Sequence, residues 1–282
     1  MKFEFYKYHG TGNDFIIIDN RALKVKLNTK QIAHLCHRRF GIGADGLMLL
    51  QNKKGFDFEM VYYNSDGYES SFCGNGSRCI VAFAKELGVI KKSETTFIAT
   101  DGIHTAKIKD KAHSKSPQLG ELLVSIKMID VKNIETIAEK SLSPLGRDGE
   151  GWLLNTGSPH YVRFTEGVKS AEIISEAKRI RYSERFSKEG VNVNFAEKNG
   201  KGIFVRTYER GVEDETLSCG TGVTATALAA SLKGISAAEN SCKILTLGGE
   251  LTVRFHRGKG NSFSDIWLEG PATFVFKGET KI

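Results

Sequence analysis

No stretch of this 282-residue chain reaches the about 18 consecutive apolar residues that a membrane-spanning helix needs, and no apolar segment of signal type follows Met1. A cytoplasmic protein with no membrane partner is therefore expected. Cysteine is scarce and odd in number: five, spread from Cys36 to Cys242, with no Cys-x-x-Cys pair. That spacing builds no disulfide framework, and a reducing compartment would keep all of them as thiols. Close ligand pairs of the tetrahedral zinc type are missing as well. Cys73 and Cys79 are six apart, Cys242 has no near partner, and His34 and His37 flank Cys36 off any common helix face. No metal site is expected, and Cys36 and Cys79 read as buried helix residues. Runs of Lys or Arg are absent too. The 40 basic residues are scattered among 33 acidic ones, so the net charge of +7 describes a solvated surface rather than a nucleic-acid groove. The excess would still favour a small carboxylate substrate.

What is present is ordinary in bulk, with 40% hydrophobic and 26% charged residues and a length that fits one or two domains. It is unusual in one respect. Cys73-Gly74-Asn75-Gly76 and Cys219-Gly220-Thr221-Gly222 are near-identical turns, each followed by a helical pattern, Ser77 to Leu87 and Val223 to Leu232. Sliding the chain by the 146 residues between them also aligns Phe58 with Phe204, Tyr62 with Tyr208, Glu69 with Glu215, Gly88 with Gly234 and Thr100 with Thr246. With one-residue shifts, Thr11-Gly12 meets Thr156-Gly157 and Gly43 meets Gly190. The chain reads as two copies of one unit.

Strands are expected at Phe3 to Tyr8, Phe15 to Asp19, Leu47 to Gln51, Phe56 to Tyr63, Thr96 to Thr100 and Leu122 to Lys127. In the second half they are expected at Gly151 to Asn155, Tyr161 to Thr165, Val191 to Glu197, Ile203 to Tyr208, Lys243 to Leu247, Leu251 to Phe255 and Phe263 to Leu268. Thr29 to Arg38 and Ala171 to Arg179 read as further helices. The helix from Val223 is too poor in charge to lie on a surface. The expected fold class is therefore α+β, with two pseudo-symmetric domains, each a largely antiparallel curved sheet around a central helix. Asp110 to Gly120, polar and containing Pro117, reads as a loop near the boundary. The expected division is 1–118 plus 271–282, carrying Cys73, and 119–270, carrying Cys219, with Pro271 to Phe276 returning to the first domain as an added strand.

A thiol at a helix N-terminus has its thiolate favoured by the helix dipole and by unpaired N–H groups. Two such thiols could remove a proton from one side of a carbon and return one from the other. Gly74, Gly76, Gly220 and Gly222 let the backbone approach a ligand closely, and the two helix N-termini would bind a substrate carboxylate through N–H groups. Gly74, Asn75, Gly220 and Thr221 are therefore expected to bind substrate. Arg210 falls opposite Asn64 at the 146 offset and suits a second carboxylate, whereas Glu213 and Asp214 read as surface charge. His160, in Ser158-Pro159-His160-Tyr161, could equally be a core or turn histidine.

Gly10-Thr11-Gly12-Asn13-Asp14-Phe15, Gly41-Ile42-Gly43-Ala44-Asp45-Gly46, Asn64-Ser65-Asp66-Gly67, Cys73 to Cys79, Gly157-Ser158-Pro159-His160, Gly190-Val191-Asn192-Val193, Glu209-Arg210-Gly211 and Cys219 to Gly222, in this order, closely resemble diaminopimelate epimerase. The resemblance covers nearly the whole chain. It implies cofactor-independent interconversion of LL- and meso-2,6-diaminopimelate, on the route to lysine and peptidoglycan precursors, by two domains closing over the substrate. It implies Cys73 and Cys219 as the acid/base pair, and Asn13, Asn64, Asn192 and Arg210 as substrate-binding residues, with Arg210 near the distal carboxylate. His160 and Glu209 match polar residues near the reacting centre. Three places depart from a common family form: Gly46 for Gln, Ser158 for Asn, and a longer turn at Val212-Glu213-Asp214. A homodimer is compatible with the sequence. An epimerase or racemase of proline or hydroxyproline on the same two-cysteine plan is the nearer alternative, although it leaves Arg210 with nothing to hold. A thiol redox or metal-binding protein is the more distant one.

Overall fold

A computed structural model describes residues 1–70, 72–109, 121–138, 142 and 149–282. The expected loop at 110–120 and the expected boundary at 118/119 lie outside the described residues. Among the described residues there are 17 strands and four helices, so the fold is mostly strand and the expected α+β description holds only in that coarser sense. None of these helices is long and apolar enough to cross a membrane.

The chain forms two compact units, Met1–Ile126 with Gly270–Ile282, and Lys127–Glu269. The first contains β1 (Lys2–Gly10), β2 (Asn13–Asp19), α1 (Thr29–Cys36), β3 (Gly46–Gln51), β4 (Phe58–Asn64), β5 (Glu69–Ser70), α2 (Gly74–Glu86), β6 (Glu94–Ala99), β7 (Gly102–Lys109) and β8 (Glu121–Lys127). After β9 (Glu135–Ala138), the second repeats the same order of kinds with β10 (Glu150–Asn155), β11 (Pro159–Phe164), α3 (Ile174–Arg181), β12 (Asn192–Asn199), β13 (Gly202–Glu209), β14 (Asp214–Thr216), α4 (Gly220–Leu232), β15 (Ser241–Thr246), β16 (Gly249–Arg257) and β17 (Phe263–Lys281).

In the first unit β1–β2, β3–β4, β6–β7 and β7–β8 pair antiparallel, while β2–β3 and β4–β6, which flank α1 and α2, pair parallel. The later part of β17 then pairs antiparallel with both β8 and β1. Eight strands therefore close into a barrel, which removes free edges. Residues Asn75 to Ala84 of α2 are buried against barrel side chains such as Phe15, Met48, Phe58 and Phe97. In the second unit the parallel pairs are again those flanking helices, β11–β12 and β13–β15. Its helix α4 is buried all round, among Trp152, Val205, Ile244 and Leu268.

The two long helices begin at Gly74 and Gly220, three residues before the apolar pattern starts, because the small-residue runs themselves are helical. Each cysteine is consequently the N-cap residue, in extended conformation. At α3 the start is later than expected, since the Glu172 carboxylate accepts from the N–H groups of Ile174 and Ser175 and caps the helix there. Helix α1 is opened by a capping box between Asn28 and Gln31 and stops at Cys36. Strand β7 escaped the sequence pattern because its central residues, His104-Thr105-Ala106-Lys107, alternate only weakly. Residues 263–268 and 271–276, expected as separate strands, are one strand of 19 residues.

Candidate active site

In the first unit, Cys73 Sγ accepts from the Gly76 N–H at 3.5 Å and donates to Asn13 Oδ1 at 3.8 Å. The same oxygen accepts from Asn75 Nδ2 at 3.3 Å, and Asn13 Nδ2 donates to Asp45 at 2.7 Å. The Asp45 carboxylate is bonded to Arg38, which also holds Asp14 at 2.7 Å, and Lys7 pairs with Asp14 from the other side at 2.7 Å. Burial alone would raise the Asp14 pKa, but the bonds from Arg38 and Lys7 outweigh it and hold the carboxyl well below its ordinary range. A chain of polar groups thus fixes the amide that touches the thiol. Asn64 ends β4, exposed, directly across from Gly46 on β3. A side chain at 46 would meet the Tyr62 ring and the Tyr63 carbonyl oxygen, each at 2.6 Å, so this position takes glycine for lack of space.

In the second unit, Cys219 is buried and its Sγ lies 3.4 Å from Thr221 Oγ1. That hydroxyl meets His160 Nε2 at 2.9 Å and the Ser158 hydroxyl at 3.3 Å. On the other side of the ring, Asn194 Nδ2 lies 3.1 Å from His160 Nδ1. An amide N–H can only donate, so Nδ1 accepts. Asn192 Nδ2 also lies 3.4 Å from Nε2, but its two hydrogens go to Ser158 Oγ at 3.0 Å and the Pro159 carbonyl at 3.1 Å. That leaves the ring proton on Nε2, towards Thr221 and Ser158. Burial pushes the His160 pKa down to about 3, which keeps the ring neutral. Burial raises the Glu209 carboxyl, while hydrogen bonds from Thr216 and Cys219 partly oppose the rise. Asn192 Nδ2 donates to Ser158 Oγ at 3.0 Å, and its Oδ1 accepts from the Arg210 N–H at 2.8 Å. The Arg210 guanidinium reaches out to the Glu189 carbonyl at 2.7 Å.

Each unit therefore gathers residues expected of it: Asn13, Asn75 and Cys73 in one, and His160, Asn192, Glu209, Thr221 and Cys219 in the other, where Ser158, a departure from the family form, joins them. Asn64 and Arg210 stand at strand ends and not in direct contact with the thiols. Asn194 and Thr207 were missed. Thr207 Oγ1 donates to Asn194 Oδ1 at 2.9 Å, which fixes the amide that sets the histidine tautomer. The alternation Asn192-Val193-Asn194 on one strand carried that signal, because it puts both amides on one face. Glu213 is more than surface charge: Tyr182, Tyr208 and Arg181 all bond to it.

A sequence model of diaminopimelate epimerase matches residues 5–123 and 152–275. The chain belongs to the diaminopimelate epimerase family. Two curated relatives of that name are those of Flavobacterium psychrophilum, 48% identical over 96% of this chain and 98% of the relative, and Methanocella arvoryzae, 37% identical over 100% and 98%. Among solved structures, a Bacillus anthracis phenazine biosynthesis protein of the PhzF family matches with TM-score 0.70 at 14% identity, over 100% of both chains. A hydroxyproline epimerase from Agrobacterium vitis matches with TM-score 0.63 at 16% identity, over 99% of this chain and 92% of that one. At such identities these structures speak for the fold alone. Within the family's fold, both cysteines stand at helix N-termini where a thiolate is favoured.

Proposed function

We infer that this enzyme interconverts LL- and meso-2,6-diaminopimelate by removing and returning one α-proton without a cofactor, each unit supplying one thiol. The observation that carries this reading is the duplication itself: two 13-residue helices, each N-capped by a cysteine, in a chain that belongs to this family. Inversion at carbon needs one group to take a proton and another to deliver one. Cys73 as thiolate accepts from the Gly76 N–H, and Cys219 as thiol has Glu209 as an acceptor, so the two states are each supported locally.

Gly74, Asn75, Gly220 and Thr221 would offer N–H groups to the reacting end, where charge builds on the carboxylate as the α-proton leaves. Asn13, Asn64 and Asn192 would bind the amino and carboxylate groups, and Arg210 would take the distal carboxylate by swinging from Glu189. His160 would support the second thiol through Thr221. The two units, Met1–Ile126 with Gly270–Ile282 and Lys127–Glu269, read as copies of one domain. With none of the five cysteines in a disulfide, thiol chemistry of this kind suits the reducing cytoplasm.

Assay with LL-diaminopimelate in deuterated water, without added cofactor, tests the reading. One deuterium at one α-carbon of the meso product is expected. Exchange confined to proline or hydroxyproline would transfer the assignment to that alternative.

A further inference from the structure

Arg78, in the second turn of α2, is fully buried and has no carboxylate partner among the described residues. All of its acceptors are neutral. Nε donates to the Pro271 carbonyl at 3.3 Å, Nη1 to the Gly74 carbonyl at 3.4 Å, and Nη2 to Thr11 Oγ1 at 3.2 Å and Asn75 Oδ1 at 2.9 Å. Gly10 makes room for it, since a Cβ there would stand 3.1 Å from Nη2. An uncompensated charge in a protein interior is costly to bury, and burial pushes even this guanidinium down to about 10, which still leaves it charged at neutral pH. A cation kept at such cost calls for an anion nearby.

The network around Arg78 leads to one. Asn75, held by Nη2, donates through Nδ2 to the Asn13 oxygen that meets the Cys73 thiol. On deprotonation Cys73 keeps its Gly76 N–H donor and gives up its own bond to Asn13 Oδ1, while that oxygen keeps Asn75. An acceptor beside the thiol by itself favours the protonated form, and the charge of Arg78 acts against this preference. The other ionisable groups on the surrounding elements do not supply the charge. Cys79 is fully buried, which pushes its thiol up and keeps it protonated. Asp14 on β2 is already neutralised by Lys7 and Arg38. His9 on β1 accepts from the Gly12 N–H, and Glu86 lies about 12 Å further along the helix and bonds to Tyr8. At the equivalent place in α4 stands Thr224, which turns its hydroxyl back to the Gly220 carbonyl and carries no charge.

We propose that Arg78 is a positioning residue for the epimerase reaction: its buried charge makes Cys73 the more acidic of the two catalytic thiols and holds the Asn75–Asn13 bridge against it. The role of Cys73 as a base rests on the function proposed above. The influence of Arg78 on the acidity of that thiol does not need turnover to be seen.

The experiment measures the rate of alkylation by iodoacetamide against pH, with the modified peptide located by mass spectrometry. Cys73 is read in a Cys219→Ala chain and Cys219 in a Cys73→Ala chain. The three remaining thiols are buried and their pKa values raised, so they do not compete. The midpoint for Cys73 is expected below the ordinary thiol value of about 8.5 and below that of Cys219. In the Cys219→Ala background, Arg78→Gln should raise the Cys73 midpoint by about one unit or more, and Arg78→Lys should restore most of the difference. In the chain with both cysteines, Arg78→Gln should move the acidic limb of kcat/KM upward by the same amount.

A Cys73 midpoint at or above that of Cys219 with Arg78 in place overturns the proposal, and this comparison stands even if Arg78→Gln fails to fold. An unchanged midpoint in Arg78→Gln, with KM alone raised, would also overturn it, because the cation would then act on the substrate. Failure of diaminopimelate to exchange label would sink the functional reading while leaving both alkylation midpoints as they are.

Discussion

Replacing Gly222 by alanine sets two known effects against each other at one buried position. Gly222 is the third residue of α4, and a Cβ there would lie 2.5 Å from Asn194 Oδ1, 3.2 Å from His160 Cε1 and 3.3 Å from Thr207 Oγ1. Asn194 has nowhere to retreat: its oxygen accepts from Thr207 at 2.9 Å, and its amide serves His160 at 3.1 Å and the Tyr161 carbonyl at 3.0 Å. Crowding of this kind costs about 2 kcal/mol, and disturbing one buried hydrogen bond about 1 more. Alanine in place of glycine returns about 1 through helix propensity. Gly222→Ala is therefore expected to lose about 2 kcal/mol of stability and to damage activity through His160.

Gly76→Ala is the matched control at the same position of α2. Its Cβ would meet Met48 Sδ at 3.2 Å and the Phe15 ring at 3.4 Å, and a thioether gives way easily. This variant should stay within about 1 kcal/mol of the parent. Urea denaturation of both, with kcat/KM measured alongside, makes the comparison. If Gly222→Ala matched Gly76→Ala in stability and kept full turnover, the crowding at Asn194 would be refuted.

Cys73→Ala and Cys219→Ala should each lower epimerisation by at least about a hundredfold, as expected for loss of a proton-transfer group, and retained turnover in either would end the two-thiol mechanism. Asn194→Ala should reduce kcat/KM at least about tenfold, a barrier increase of about 1.4 kcal/mol, because the His160 tautomer is no longer fixed; Asn194→Asp should fare no better, since its carboxylate cannot donate to Nδ1. The folded His160 pKa, near 3, lies below the unfolded value of about 6.5, so the unfolded chain binds the extra proton first as pH falls. Its contribution is present above pH 6.5 and is lost towards pH 3, by up to about 1.4 kcal/mol per unit. Denaturation at pH 6.5 and 5 should show this slope, and His160→Gln should flatten it.

The positions of both cysteines, the 146-residue repeat and most strands were legible because glycine punctuation and apolar alternation are local signals. The orientation of Arg78 was not. In Gly-Ser-Arg-Cys nothing distinguishes a guanidinium turned into the core from one in water, and arginine is rarely buried. Glu213 was read as surface charge because its neighbours are polar, yet a left-handed φ of 58° folds it back onto Tyr182 and Tyr208. Proline at 271 looked like the start of a new segment, but it pairs with Leu123 in mid-strand, where a lost N–H is tolerated only at particular ladder positions. The departures at Gly46 and Ser158 have separate outcomes. Tyr62 fills the space beside Gly46, while Ser158 bonds to Asn192, His160 and Thr221.

Strand β17 has a consequence for how the chain is made. Its last residues close the first barrel between β1 and β8, so the half synthesised first is the half completed last. At ribosomal rates of about 5–20 residues per second, roughly 7 to 30 seconds pass between the emergence of Ile126 and that of Gly270. Throughout that interval β1 and β8 are open edges, exposed to pairing with a neighbouring nascent chain. The second unit needs nothing beyond Glu269, so it can finish while the first still waits for its final stave.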